Sequence, residues 1–319
     1  MNDVMWNNFA TRKNIETLEQ NELKSNWKCK KFGVFDKNMP CTSPPDGAEA
    51  CRTRNHQKRK EEVFMYQVDL NSDLGESFGA YTIGLDQDVI AHVSSANIAC
   101  GYHAGDPLVM DRTVAACKAA GVAVGAHPGY PDLMGFGRRN MACSPKEVKA
   151  YIQYQMGALL AFTAAHGVKL QHCKPHGALY NMAGKDMDLA MAIAEGIYSV
   201  DRDVILLGLA GSKMLEAGRQ VGMRVASEVF ADRAYQADGS LVPRSKPGAV
   251  IHDKDEAISR TIRMVTEGKV TAITGEEVSI EAHSICVHGD NPSAVEFVKN
   301  IRAKLEGDGV VIAPIAQIV

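Results

Sequence analysis

From Tyr66 to the C-terminus, short apolar runs alternate with longer amphipathic ones, and this alternation constrains the fold more than any single motif. Seven short runs read as strands: Gln67 to Asn71, Ser95 to Ala99, Val122 to Ala126, Leu170 to Lys174, Val204 to Gly208, Arg224 to Val229 and Ser284 to Val287. The runs between them carry helix starts. Ser144-Pro145-Lys146-Glu147 is a capping box with proline at the first helical position, followed by Val148, Ile152, Met156 and Leu159 at helical spacing. Asp106-Pro107 and Asn291-Pro292 start two more helices, and Val295, Val298, Ile301 and Leu305 mark the buried stripe of the last one. Strands separated by helices run parallel, and the 254 residues from Tyr66 onward match the size of a closed β/α barrel. The expected fold is therefore α/β, a distorted seven-stranded parallel β/α barrel, with an open doubly wound sheet as the alternative.

The first 64 residues are of another kind. They are rich in Asn, Lys and Glu, contain the turn-forming Ser43-Pro44-Pro45-Asp46-Gly47 and end in a basic stretch from Arg52 to Lys60. With no sustained period, residues 1–64 are expected to form a disordered or non-native extension, leaving 65–319 as the catalytic barrel. They hold no apolar stretch of signal-peptide type. A net charge of −3 and a pI of about 6.4 argue against nucleic acid, and no apolar run approaches membrane-spanning length. A cytoplasmic location is expected. The eight cysteines form no C-x-x-C pair, which suits free thiols in a reducing compartment better than disulfides or structural zinc. Cys100 and Cys173 stand out because they lie at strand ends beside polar clusters.

Polar residues gather where the strands end. The first strand runs into Asn71, Asp73 and Glu76, the second into His103 and Asp106, and the third into His127. The fourth runs into Lys174 and His176, the sixth into Glu228, Asp232 and Arg233, and the last into His288 and Asp290. Parallel-sheet enzymes build their sites at the carboxyl ends of strands, so these residues should converge on one mouth. Asp69-x-Asn71-x-Asp73 looks like the start of a calcium loop but lacks its glycine and terminal glutamate, so Asp73 is read as a site carboxylate rather than a calcium ligand or helix cap. His103 and His127 either join Asp73 around a divalent ion or act as acids, bases or hydrogen-bond donors without metal. Lys174 in Lys174-Pro175-His176-Gly177 suits a carboxylate or phosphate, and Arg233 and Arg244 suit an acidic substrate, although solvated surface arginines are common. His92, His166, His252 and His283 receive no role.

These stretches resemble the LamB/YcsF family. The resemblance runs through Asp69-Leu70-Asn71-Ser72-Asp73-Leu74-Gly75-Glu76, then the segment from Ser95 to Asp106 with Asn97 and His103, then Gly125-Ala126-His127-Pro128. It continues through Lys174 to Asn181, Glu228 to Tyr235, Asp238 to Arg244 and Val287-His288-Gly289-Asp290, in order across Tyr66 to Ala313. Tyr102 and Ala234 stand where Phe and Gly are more usual, and neither change removes a functional group.

The resemblance implies a barrel similar to that of carbohydrate deacetylases. It also implies the activity of ATP-dependent 5-oxoprolinase, in which 5-oxo-L-proline is opened to L-glutamate with ATP as co-substrate and with partner subunits B and C. The chain has no G-x-x-x-x-G-K-[ST] loop, so its ATP use must rest on another kind of site or on the partners. On this reading Asp73, His103, His127, Lys174, His176 and His288 are the catalytic set. Asn71, Glu76, Asn97, Glu228, Asp232, Arg233, Tyr235, Arg244 and Asp290 bind substrate, and Asp73, His103 and His127 are the candidate metal ligands. The rival readings are a stand-alone metal-dependent deacetylase or amidohydrolase and a binding protein with a degenerate site. Self-association is left open.

Overall fold

The computed structural model describes residues 66–287 and 292–319. The expected extension over 1–64 lies outside the described residues, as do His288 and Asp290.

The first strand, β1 (Gln67–Leu74), leads through a loop and a short helix α1 (Asp86–Val89) to β2 (Ser95–Ala99). Then follow α2 (Pro107–Ala120), β3 (Ala123–His127), α3 (Pro145–His166), β4 (Leu170–Cys173), α4 (Gly177–Ala183) and α5 (Met187–Val200). The series continues with β5 (Ile205–Leu209), α6 (Lys213–Val221), β6 (Val225–Phe230) and α7 (Lys254–Glu267). It ends with the hairpin strands β7 (Lys269–Thr271) and β8 (Glu277–Ser279), then β9 (Ser284–Cys286), α8 (Pro292–Gly307) and β10 (Val311–Ile312).

Strands β1 to β6 pair in order and in parallel, and β9 pairs in parallel with both β6 and β1. That double pairing closes a seven-stranded barrel and rules out the open doubly wound sheet. Each of the seven expected strands is present, shifted by a few residues at most. The β7–β8 hairpin, which is antiparallel, and β10, which extends the sheet beside the start of β1, were not expected.

Helix starts follow the local chemistry. Ser144 and Glu147 form the reciprocal capping box of α3, and Val148, Ile152, Met156 and Leu159 are fully buried. Asp106 caps α2 by accepting from the Leu108 and Val109 amides. The stripe on α8 is buried at Val298, Ile301 and Leu305.

Alternation along β1 sends Val68, Leu70 and Leu74 to the shell packed against the helices, where their apolar surface is removed from water. Asp69, Asn71 and Asp73 take the other side. His172 on β4 bonds Asn97 on β2, two strands away, so this second face is the barrel interior. The interior is thus lined by polar groups, and they lead to the carboxyl ends of the strands.

Candidate active site

A hydrogen-bonded ladder climbs the interior. Asn71 Nδ2 donates to Ser284 Oγ at 2.7 Å, and Asn97 Nδ2 donates to Asn71 Oδ1 at 2.7 Å and to Asp73 Oδ1 at 2.8 Å. His172 Nε2 lies 2.6 Å from Asn97 Oδ1, a position opened by Gly125, where a Cβ would come within 2.1 Å of that ring nitrogen. Burial, helped by the Lys174 charge, pushes His172 down to about pKa 3, so it serves as a neutral strut.

At the top of the ladder Lys174 enters from the end of β4. Its Nζ lies 3.0 Å from Asp73 Oδ1, 2.8 Å from Glu228 Oε1, 3.3 Å from Asn71 Oδ1 and 3.3 Å from Cys286 Sγ. Burial opposes the ammonium, but the facing carboxylates outweigh it and hold Lys174 well above its usual pKa. Tyr180 on α4 donates to Glu228 Oε2 at 2.6 Å, so Glu228 is fully enclosed between two donors.

Beside this ion triad stands an imidazole cluster. His103 and His176 stack with ring centroids 3.7 Å apart and planes 2° from parallel, while His127 meets both edge-on. Gly137, at φ 61°, makes the stack possible, because a Cβ there would lie 2.7 Å from His103 Cβ and 2.8 Å from His176 Cδ2. Among the described residues, Phe136 is the one non-glycine at positive φ, 54°, and it directs its carbonyl to His176 Nε2 at 2.8 Å. His127 is held by its own contact, Nδ1 to the Lys174 carbonyl at 2.7 Å. Glu76 Oε1 lies 3.2 Å from His103 Nε2, and Asp73 Oδ2 lies 3.3 Å from His127 Nε2.

Burial, then the neighbouring rings, hold His103 and His176 well below the usual histidine pKa. Burial and the Asp73 charge raise Glu76. Imidazoles held neutral present lone pairs, and the donor atoms of Glu76, His103, His127 and His176, all within 4.8 Å of one another, could hold a metal ion. Asp73 and Glu76 are the most exposed of these side chains, at 18% and 13%, so the cluster opens to solvent on their side.

The model of the LamB/YcsF family matches residues 68–319. The chain belongs to the LamB/YcsF family. Among relatives, the A subunit of 5-oxoprolinase from Clostridium beijerinckii is 62% identical over 254 residues, covering 80% of this chain and all of that one. The protein of the same name from Pyrococcus furiosus is 58% identical over 253 residues, covering 79% and 99%. Among solved structures, the lactam utilization protein from Thermus thermophilus aligns with a TM-score of 0.74 and 49% identity, covering 77% of this chain and 99% of that one. The family match begins two residues after the described structure does, so the likeness concerns the barrel.

The barrel brings Asn71, Asp73, Glu76, Asn97, His103, His127, Lys174, His176 and Glu228 to one mouth. The segment after β6 is arranged differently. Arg233 Nε and Nη2 donate to the Ala249 and Val242 carbonyls, pinning the loop, and Tyr235 is fully buried with its hydroxyl accepting from the Phe230 amide. Asp232 is half-buried and Arg244 exposed. The expected metal trio of Asp73, His103 and His127 is not the tightest set, since Glu76 and His176 complete the cluster and Asp73 flanks it.

Several contributors escape the sequence reading. His172 shares the inward face of β4 with Lys174, and strict alternation through Gln171-His172-Cys173-Lys174 is the signal that would have found it. Cys286 and Tyr180 reach Lys174 and Glu228 through the fold alone. Arg138, exposed beside the cluster with its guanidinium 5.0 Å over the Phe136 ring, lies on a loop with no distinctive spacing. Burial pushes Cys100 up to about pKa 12 and Cys173 well above its usual value, so neither is a ready nucleophile.

Proposed function

We propose that this chain is the A-type subunit of an ATP-dependent 5-oxoprolinase, which opens the lactam of 5-oxo-L-proline to L-glutamate in the cytoplasm together with partner subunits B and C. The observation that carries this reading is 62% identity along the whole length of a relative that is named as the A subunit of 5-oxoprolinase. The lactam named for the Thermus thermophilus structure supports it from a second direction.

The geometry suits the chemistry. Water adds to the lactam carbonyl carbon, the carbon–nitrogen bond breaks, and the ring nitrogen leaves with a proton. Asp73 is the base that takes the proton from water, held by Lys174 and Asn97 on one oxygen so that the other faces the imidazoles. Lys174, enclosed by Asp73 and Glu228, sets that carboxylate and supplies positive charge behind the reacting carbonyl. His288 is left to protonate the leaving nitrogen, since burial keeps His176 neutral with its Nε2 proton on the Phe136 carbonyl, and His103, His127 and His176 complete the catalytic set. Substrate contacts come from Glu76, Asp232 and Asp290, and from Arg233 and Tyr235 through the loop they anchor, whereas Asn71, Asn97 and Glu228, expected as substrate ligands, are buried and already paired and act by positioning Asp73 and Lys174. Exposed Arg244 draws the substrate carboxylate or a phosphoryl group toward the mouth. ATP provides the driving force for opening a stable five-membered ring, its terminal phosphoryl group passing to the lactam oxygen and leaving as phosphate as the ring opens, and with no phosphate-binding loop in this sequence the nucleotide site is of another kind or lies on the partners.

The test is glutamate release from 5-oxoproline, with and without ATP, by the chain alone and by the chain with subunits B and C. Release that needs ATP and the partners is expected. No release with competent partners would remove the reading. A second reading, a stand-alone metal-dependent deacetylase or amidohydrolase, is favoured by the imidazole cluster and would reveal itself as amide hydrolysis by the isolated chain without ATP.

A further inference from the structure

The imidazole cluster contains a bonding conflict. The Lys174 carbonyl lies 2.7 Å from His127 Nδ1, and the Phe136 carbonyl lies 2.8 Å from His176 Nε2. A carbonyl oxygen only accepts, so both of those ring nitrogens carry protons, and in neutral rings His127 Nε2 and His176 Nδ1 are left as lone pairs. These two atoms face each other at 3.0 Å. Two lone pairs at that separation repel unless a cation or a shared proton lies between them. Glu76 Oε1 closes the group, 3.2 Å from His103 Nε2 and 3.7 Å from His176 Nδ1.

We propose that Glu76, His103, His127 and His176 form a site for a single divalent transition ion of the zinc class. A tetrahedral centre with bonds of about 2.0–2.1 Å separates its ligands by about 3.3 Å. The donor atoms here, 3.0 to 3.7 Å apart where they are closest and all within 4.8 Å, have that spacing, and the stacked His103 and His176 rings, 2° from parallel, must tilt apart to bring one ion into both ring planes. Three imidazole nitrogens and one carboxylate favour zinc, iron, cobalt or nickel over magnesium or calcium, which take oxygen shells. In two of the rings the second nitrogen donates to a backbone carbonyl, the outer contact that orients histidine ligands around metals. Strain at Phe136 and the missing side chain at Gly137 place the His103 and His176 rings, so the local backbone is committed to this cluster. The ion would supply Lewis-acid polarisation of a substrate carbonyl; that role rests on the lactam reading, whereas the site itself rests on the geometry.

The full chain is stripped with a chelator and titrated with Co²⁺ and Zn²⁺ without ATP, substrate or partners. One ion per chain is expected, with visible cobalt bands of a mixed nitrogen and oxygen site and a higher melting temperature in zinc. Glu76→Gln, which preserves size, and His176→Ala should each weaken binding by at least about 100-fold. His283→Ala, outside the cluster, should leave it unchanged. A wild-type chain that takes up no ion and shows no thermal shift in excess metal would overturn the proposal, because a shared proton would then resolve the conflict. Stoichiometric binding undiminished in both variants would overturn it equally, by locating the ion elsewhere. Glutamate release is a separate measurement, so a chain that binds its ion but releases no glutamate with competent partners would remove the lactam reading and leave the site standing.

Discussion

At the lower end of the barrel interior, Asp69 accepts hydrogen bonds from Ser94, Ser95 and Ser284. At the upper end, three imidazoles and two carboxylates converge on one another with lone pairs in opposition. Both ends are polar and both are enclosed, yet only the lower one is satisfied. Gln171 completes it by donating to Ser95 Oγ and accepting from the Ala316 amide, which seals the base with the C-terminal turn over Ile315–Gln317. A buried polar network whose members are all paired holds strands in register. One that leaves buried lone pairs opposed to each other, beside the partly exposed carboxylates of Asp73 and Glu76, is built for a ligand or a reaction.

Four substitutions would break or sharpen this contrast. The largest effect is expected from Asp73→Asn, which should lower glutamate release by the complete enzyme by about 1,000-fold or more while the chain stays folded. Circular dichroism beside the turnover assay would check both halves, and full activity would place the base elsewhere. Lys174→Ala should weaken both properties, because it leaves Glu228 buried without its cation; a loss of roughly 3–5 kcal/mol is expected in denaturant unfolding.

At the lower end the effect is on stability and its pH dependence. Burial raises Asp69 from 3.8 to about 6, against the three serine hydrogen bonds that lower it. A carboxyl whose folded pKa is raised favours folding most when protonated. Its contribution is complete below about pH 4 and is lost as pH rises through about 6, a swing of roughly 3 kcal/mol. Asp69→Asn should flatten the stability profile between those values and leave turnover per folded chain unchanged; a slope identical to the wild type would show that Asp69 does not titrate there. The smallest effect belongs to Gly125→Ala, which drives a methyl group into the His172 ring and should cost about 1–3 kcal/mol, read from the urea midpoint.

The strands were legible because apolar period and length are local properties. Val148, Ile152, Met156 and Leu159 announce a buried helix face, and Ser144 with Glu147 announces where it starts, without reference to the rest of the chain. The hairpin β7–β8 was not legible because Lys269–Thr271 and Glu277–Ser279 are three residues each, too short to set a period. Much of the site was legible for a related reason. Asp73, His103, His127, Lys174 and His176 each follow a recognisable strand, and a parallel arrangement sends every strand's end to the same side.

By itself, then, the sequence determined the layering of strands and helices, the side of the barrel on which chemistry gathers and the family motifs that fill it. Tertiary structure alone decided closure, through the pairing of β9 with both β1 and β6, since pairing partners are long-range choices that no local period encodes. It also decided which polar residues face one another. Glu76 rather than Asp73 completes the imidazole cluster, Arg233 turns inward to carbonyls, and His172 reaches Asn97 across the interior, because side-chain contact depends on register and on the small residues that let rings approach.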